Sequence, residues 1–160
     1  MFLKPDYNLE NIFAIPLDEL KSQGIKNILF DLDSTIMASK SGCYFDTTQQ
    51  WLDKVRKDFF IAIVSNNDKQ SYIEKVKACT DFPCVFSAHK PNTKVASEFM
   101  IANNLTPSET AFVGDRPLTD IWCGKRLGCL TILVDSITAK TENIPTRLVR
   151  KLERLSIRNI

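Results

Sequence analysis

The feature that most constrains this chain is a series of short, largely apolar runs, each ending in polar residues. Ile25–Phe30, Phe59–Val64, Cys84–Phe86, Ala111–Val113 and Leu130–Val134 all have this form. Strict alternation marks a strand with one wet face. A continuous run suits a strand covered on both faces, as in a parallel sheet. Between the runs, apolar residues recur at helical spacing. Trp51, Leu52 and Val55 follow Asp46-Thr47, and Tyr72, Ile73 and Val76 follow the cap-forming Asn66-Asn67-Asp68. Val95, Ala96, Phe99 and Met100 form two i,i+4 pairs, and Leu118, Ile121 and Trp122 follow Pro117, a residue favoured in a first helical turn. A shorter helix over 17–23 ends at Gly24. Strand and helix alternate. This predicts an α/β, Rossmann-like, doubly wound parallel sheet of about five strands, in one domain over 1–160.

Composition narrows the function classes. The chain has 160 residues, 44% hydrophobic and 25% charged, which suits one globular domain. The longest apolar run, Phe59–Val64, is far short of the ~20 residues that span a bilayer. The opening MFLKPDYNLE lacks the apolar stretch of a secretory leader, so a cytoplasmic protein is expected. The five cysteines, Cys43, Cys79, Cys84, Cys123 and Cys129, contain no C-x-x-C pair. They read as reduced, mostly buried thiols rather than a disulfide framework or a zinc site. His89 is the single histidine, so a nucleophile–histidine mechanism would rest on it alone. The many carboxylates direct attention to carboxylate and metal chemistry instead. Dinucleotide and P-loop readings lack their glycine motifs.

In doubly wound sheets, ligands bind at the carboxyl ends of the strands. There the chain places Asp31-Leu32-Asp33-Ser34-Thr35, Ser65-Asn66-Asn67, His89-Lys90-Pro91, Gly114-Asp115 continuing to Asp120, and Asp135-Ser136. Taken singly, each is an ordinary cap or turn. Together they bring acids from two strands, a lysine and a hydroxyl to one edge. Asp31, Asp33 and Asp115 would repel one another unless a cation or a proton intervened. Hard oxygen donors with no histidine or thiolate beside them suit Mg²⁺. Such a set can run phosphoryl transfer. One carboxylate attacks phosphorus, a second moves the proton, and cations with a hydroxyl hold the phosphoryl oxygens.

The order of these motifs resembles the haloacid dehalogenase (HAD) superfamily. Its D-x-D-x-[TV] motif matches Asp31 to Thr35, and its second-motif hydroxyl matches Ser65 in IVSNN. Its basic residue matches Lys90 in HKP, and its acidic motif matches Gly114, Asp115 and Asp120 in GDRPLTD. The resemblance implies Asp31 as nucleophile and Asp33 as general acid and base. It implies Mg²⁺ on the carboxylates of Asp31 and Asp115 and the backbone carbonyl of Asp33, with Asp120 assisting from the outer shell. Ser65 and Lys90, with Asn66 beside them, would bind the phosphoryl group. An aspartate at position 33 points to a phosphatase or phosphotransferase within the superfamily. Nearly the whole chain, from KPDYNLENIFAIPLDELKSQG through SNND, HKPN and GDRPLTDIWCGKRLG to TRLVRKLERL, is similar to the YqeG-type branch, class IIIA. That branch is in turn similar to phosphatidylglycerophosphate phosphatases. Ser34 stands where that branch commonly has Asn, and Arg116 where it often has Gln. Arg116 could be a substrate contact or a surface arginine.

Many superfamily relatives enclose small substrates under a cap domain. Residues 34–58 have room for a loop and one helix, and little lies between the third strand and Lys90, so a capless architecture is expected. An open site suits a phosphate on something large, such as a lipid head group. Loop 36–46, with Met37, Tyr44 and Phe45, is either a substrate rim or ordinary packing. The net charge is +2, but residues 1–138 carry −2 and residues 139–160 carry +4. In that tail Ile144, Leu148, Leu152 and Leu155 recur at helical spacing beside Arg147, Arg150, Lys151, Arg154 and Arg158. Such a basic amphipathic helix either makes peripheral contact with an anionic membrane or packs on the domain. The aromatic interleaving of a nucleic-acid surface is lacking. The expected function is a Mg²⁺-dependent phosphomonoester hydrolase acting through an aspartyl-phosphate on a large or lipid phosphate such as phosphatidylglycerophosphate. The alternative is a non-catalytic RNA- or protein-binding module on the same fold. A receiver-like domain would need an acid after the third strand, where Ser87-Ala88 stand.

Overall fold

The computed structural model of the chain describes residues 3–137 and 144–158. Of the expected basic tail, residues 139–143 and 159–160 and the side chains of Arg147, Arg150 and Arg158 lie outside the described residues. The elements are β1 (Tyr7–Leu9), α1 (Leu17–Ser22), β2 (Asn27–Phe30), α2 (Asp46–Val55), β3 (Phe60–Val64), α3 (Gln70–Ala78) and β4 (Cys84–Val85). They continue with α4 (Lys94–Ala102), β5 (Thr110–Gly114), α5 (Trp122–Leu127), β6 (Leu130–Val134) and α6 (Ile144–Arg158). Strand order in the sheet is β1-β6-β5-β2-β3-β4, with every neighbouring pair parallel.

The five expected strands are all present, but the sheet has six. The extra strand, β1, is a three-residue edge strand whose sequence, YNL, carries no apolar run. Tertiary contacts hold it in place. The Asp6 carboxylate accepts hydrogen bonds from the Thr131 N–H and hydroxyl, both 2.8 Å, and pairs with Lys125 Nζ at 3.1 Å. The thiols also depart from expectation: only Cys123 and Cys129 are buried, while Cys43 and Cys79 are exposed.

Both faces of the sheet are covered, which explains the continuous apolar runs. On one face Ile28, Phe30, Ile61, Ile63, Val113 and Ile132 pack against Leu20 of α1, Leu52 and Val55 of α2, and Val76 of α3. On the other, Leu29, Ala62, Val64 and Phe112 meet Ala96 and Met100 of α4 and Cys123 of α5. Burial at ~25 cal/mol per Å² makes these two layers the main stabilising term.

The topology positions the site. From β2 the chain winds outward through β3 to β4. It then crosses to β5, on the other side of β2, and winds the opposite way to β6. The reversal opens a crevice between the carboxyl ends of β2 and β5. Asp31 follows the first of these strands and Asp115 the second. The expected helix after Pro117 begins instead as a π turn, Pro117–Ile121, before α5. The wider turn carries Asp120 back toward Gly114. A Cβ on Gly114 would lie 2.3 Å from the Cβ, Cγ and Oδ2 of Asp120, so only glycine fits there.

Candidate active site

A cavity of about 370 Å³ lies at the crevice. Its lining includes Asp31, Asp33, Ser65, Asn66, Lys90, Asp115 and Asp120, so every sequence-predicted site residue reaches one place. His89 is exposed and does not line it.

Lys90 is at the centre. Its Nζ lies 2.7 Å from Asp31 Oδ1 and 2.9 Å from Asp120 Oδ1, with 1% of the side chain exposed. The Thr35 hydroxyl lies 3.2 Å from Asp31 Oδ2 and 3.2 Å from Asp115 Oδ1. It joins the acid after β2 to the acid after β5. Asp120 Oδ2 accepts the Arg116 N–H at 3.1 Å. Asp31 keeps 14% of its side chain exposed, whereas Asp120 keeps 2%.

Burial opposes the charge on Lys90, but Asp120 and Asp31 outweigh it and hold the ammonium above its ordinary pKa. Burial and then the charge of Asp31 push Asp120 up to about 6, while Lys90 pulls it down. Asp31, Asp115 and Asp120 each bring one oxygen within 4.8 Å of the others. Three carboxylates against one ammonium leave two negative charges, the charge of one divalent cation. An all-oxygen set of this kind fits a hard dication such as Mg²⁺.

The carboxylate of Asp33 stands apart from that cluster. Its Oδ1 accepts hydrogen bonds from the Lys40 N–H at 3.0 Å and from the Tyr72 hydroxyl. Burial first, then the bond to Asp33, raise the Tyr72 phenol well above its usual pKa. Asn66 binds Lys90 through the backbone: its Nδ2 donates to the Lys90 carbonyl at 3.0 Å, and its Oδ1 accepts the Lys90 N–H at 2.6 Å. The buried Ser65 hydroxyl accepts the Asn67 N–H at 3.1 Å.

Three participants were not singled out by sequence reasoning. Thr35 stood inside the D-x-D-x-T motif, four residues from Asp31, and that offset was the available signal. Tyr72 reads as a core residue of α3, and nothing local links it to Asp33, 39 residues away. The Arg116 N–H depends on the π turn. The Arg116 side chain lines the cavity and pairs with Glu153 of α6 at 2.8 Å. Of the candidate rim, Met37 is buried and Tyr44 packs on the core with its hydroxyl 2.8 Å from Thr80 Oγ1; Phe45 alone remains largely exposed. Residues 31–45 hold no helix and no strand beyond a single Asp33–Met37 bridge.

A doubly wound parallel sheet, with acids and a buried lysine at its switch point, is the architecture of the HAD-like class. Among solved structures, a predicted HAD-like family hydrolase from Porphyromonas gingivalis has the same fold, with a TM-score of 0.59 at 18% identity, covering 81% of this chain and 98% of that one. The family model described as Mitochondrial PGP phosphatase matches residues 1–138, and the chain belongs to that family of phosphatases. It is 30% identical to the Probable phosphatase YqeG of Bacillus subtilis (strain 168), over 96% of this chain and 88% of that protein. It is 29% identical to the chloroplastic/mitochondrial Phosphatidylglycerophosphate phosphatase 1 of Arabidopsis thaliana, over 95% of this chain and 46% of that protein.

Proposed function

We propose that this phosphatase is a Mg²⁺-dependent phosphomonoester hydrolase working through an aspartyl-phosphate on Asp31. The observation that carries the reading is the setting of Asp31. It is the partly exposed acid of the cluster, and its two oxygens are oriented by Lys90 Nζ and by the Thr35 hydroxyl. A carboxylate so held presents a remaining lone pair to the cavity without rotating.

In this mechanism a carboxylate oxygen of Asp31 attacks phosphorus while the bond from phosphorus to the substrate alcohol breaks. Protonated Asp33 gives its proton to the leaving oxygen. Water then attacks the same phosphorus, Asp33 takes its proton, and the bond to Asp31 breaks to release inorganic phosphate. Lys90, held protonated by its two acids, sets a positive charge beside the phosphoryl oxygens. Ser65 accepts from Asn67, which leaves its own proton for a phosphoryl oxygen. Asn66 acts through Lys90, whose backbone it holds on both sides. The carboxylates of Asp31 and Asp115, with the Asp33 backbone carbonyl and Asp120 behind, would hold Mg²⁺, whose bound charge neutralises the phosphoryl oxygens.

The substrate proposed is a phosphate on a large or lipid molecule such as phosphatidylglycerophosphate. The name of the Arabidopsis relative supports this. So does the reading of 1–160 as a single capless unit, in which residues 31–45 are a loop rather than a cap. The test is phosphate release in Mg²⁺ from an aryl phosphate and from a panel of lipid, sugar, nucleotide and protein phosphates. Asp31→Asn should lower turnover by at least about a thousandfold. Undiminished turnover in that variant would end the mechanism, and a preference for a small sugar phosphate would end the substrate reading.

A further inference from the structure

Helix α6 is mounted with a polar side inward. Glu153 is buried, 2.8 Å from the guanidinium of Arg116. Arg154 pairs with Asp135 at 2.7 Å and donates to the Val134 carbonyl at 2.6 Å. Away from Glu153 the helix carries Ile144, Leu148, Leu152 and Leu155 on successive turns, Leu152 at the edge of the stripe. They are 80%, 54%, 58% and 40% exposed. Leu118, on the π turn that α6 packs against, is also exposed. A helix lying on a globular domain normally buries its apolar stripe and shows its charges to water. Here the arrangement is inverted, and contiguous exposed apolar surface marks a site of contact.

We infer that this face of α6 docks the protein on an anionic lipid bilayer. The charge pattern selects the partner. Residues 139–160 carry six basic and two acidic side chains, and one of those acids, Glu153, is turned inward onto Arg116. Lys151 is exposed alongside the leucines. An apolar stripe beside Lys151, on a segment of net charge +4, suits a surface that offers hydrocarbon beneath anionic head groups. A second copy of the same basic helix would offer the same charge. The helix has fifteen residues, and no helix among the described residues is long and apolar enough to cross a membrane. It therefore lies in the interface.

The position links docking to the site. Arg116 lines the active-site cavity, and Asp135 follows β6 at the same carboxyl edge of the sheet. Both hold α6, so a helix resting on the bilayer keeps the cavity at the bilayer surface. The inference deepens the lipid-phosphate reading and rests on it for its purpose, but its test does not need turnover.

The experiment is co-sedimentation of the full chain with vesicles of phosphatidylcholine alone or with roughly 30% phosphatidylglycerol. Binding is expected to the anionic vesicles only, weakening as salt is raised. Lys151→Glu should lower partitioning at least about fivefold, the equivalent of one basic residue near an anionic surface. The double variant Leu148→Ser, Leu152→Ser should lower it about tenfold or more, with unchanged circular dichroism and unchanged hydrolysis of a soluble aryl phosphate. Equal binding by the double variant overturns the inference, as does equal binding to neutral vesicles. A dimer that the double variant abolishes, with no vesicle binding, assigns the face to a second copy instead. Vesicle binding without hydrolysis of any lipid phosphate supports docking and removes the substrate reading. Hydrolysis of detergent-dispersed lipid phosphate without vesicle binding does the reverse.

Discussion

Replacing Lys90 by methionine keeps an unbranched side chain, one atom shorter, and removes the ammonium bound between Asp31 and Asp120. In the metal-free protein this leaves Asp31, Asp115 and Asp120 with oxygens within 4.8 Å of one another and loses contacts of 2.7 and 2.9 Å. Breaking a buried ion pair from one side costs about 3–5 kcal/mol. The lower end applies, because Asp31 still reaches solvent and Asp120 can take up a proton. A loss of about 3 kcal/mol is a large fraction of the ~5–15 kcal/mol of a typical domain. In a domain of this size it corresponds to a melting temperature lower by roughly 6–12 °C. The pH dependence is more specific. Asp120 stands at about 6 with Lys90 in place, and Lys90 is what pulls it down, so the variant raises it further. A carboxyl raised in the native state binds more protons folded than unfolded. Its native state therefore gains stability as pH falls through the native pKa toward the unfolded value. The deficit of Lys90→Met relative to the wild type should be greatest above about pH 7 and shrink toward about pH 5. Urea denaturation of both proteins in EDTA across this range measures it. Equal midpoints at neutral pH, or a deficit that widens on acidification, would refute the reasoning.

Two further predictions follow from the same geometry. Tyr72→Phe removes one of the two donors that orient Asp33. It should lower kcat about tenfold on an alkyl phosphate, whose leaving oxygen needs a proton, and little on a nitrophenyl phosphate; an equal loss on both would contradict this. Gly114→Ala sets a Cβ into Asp120, so Asp120 must leave Lys90. Stability should fall by about 2 kcal/mol and phosphate release by more than tenfold; wild-type denaturation and activity would show that Asp120 has room to move.

Much of the architecture was legible because strands buried on two faces must be apolar throughout. Ile28 to Phe30, Ile61 to Val64 and Ala111 to Val113 carry that requirement in consecutive residues, so their existence and parallel pairing could be read directly. Strand β1 could not, because three residues at a sheet edge need no apolar run; a carboxylate, Asp6, reaching Thr131 holds them. The site was legible for a related reason. Asp31, Ser65, Lys90 and Asp115 each follow a strand, and the topology of doubly wound sheets brings those positions together. Tyr72 and the backbone of Arg116 were hidden because their roles depend on α3 packing and on a π turn, neither of which has a local pattern.

What the sequence determined by itself was the periodicity, and through it the fold class and the edge at which the polar residues gather. It also determined the composition of α6, with its leucines and arginines. Tertiary structure alone decided how those groups are partnered: Lys90 between Asp31 and Asp120, Thr35 bridging Asp31 and Asp115, and Glu153 rather than leucine turned inward on α6. The physical reason is one of range. Burial and backbone hydrogen bonding repeat every two or every 3.6 residues and leave a trace in neighbouring positions. A salt bridge or a helix orientation joins residues far apart in the chain, and it exists only once the sheet has set the distance between them.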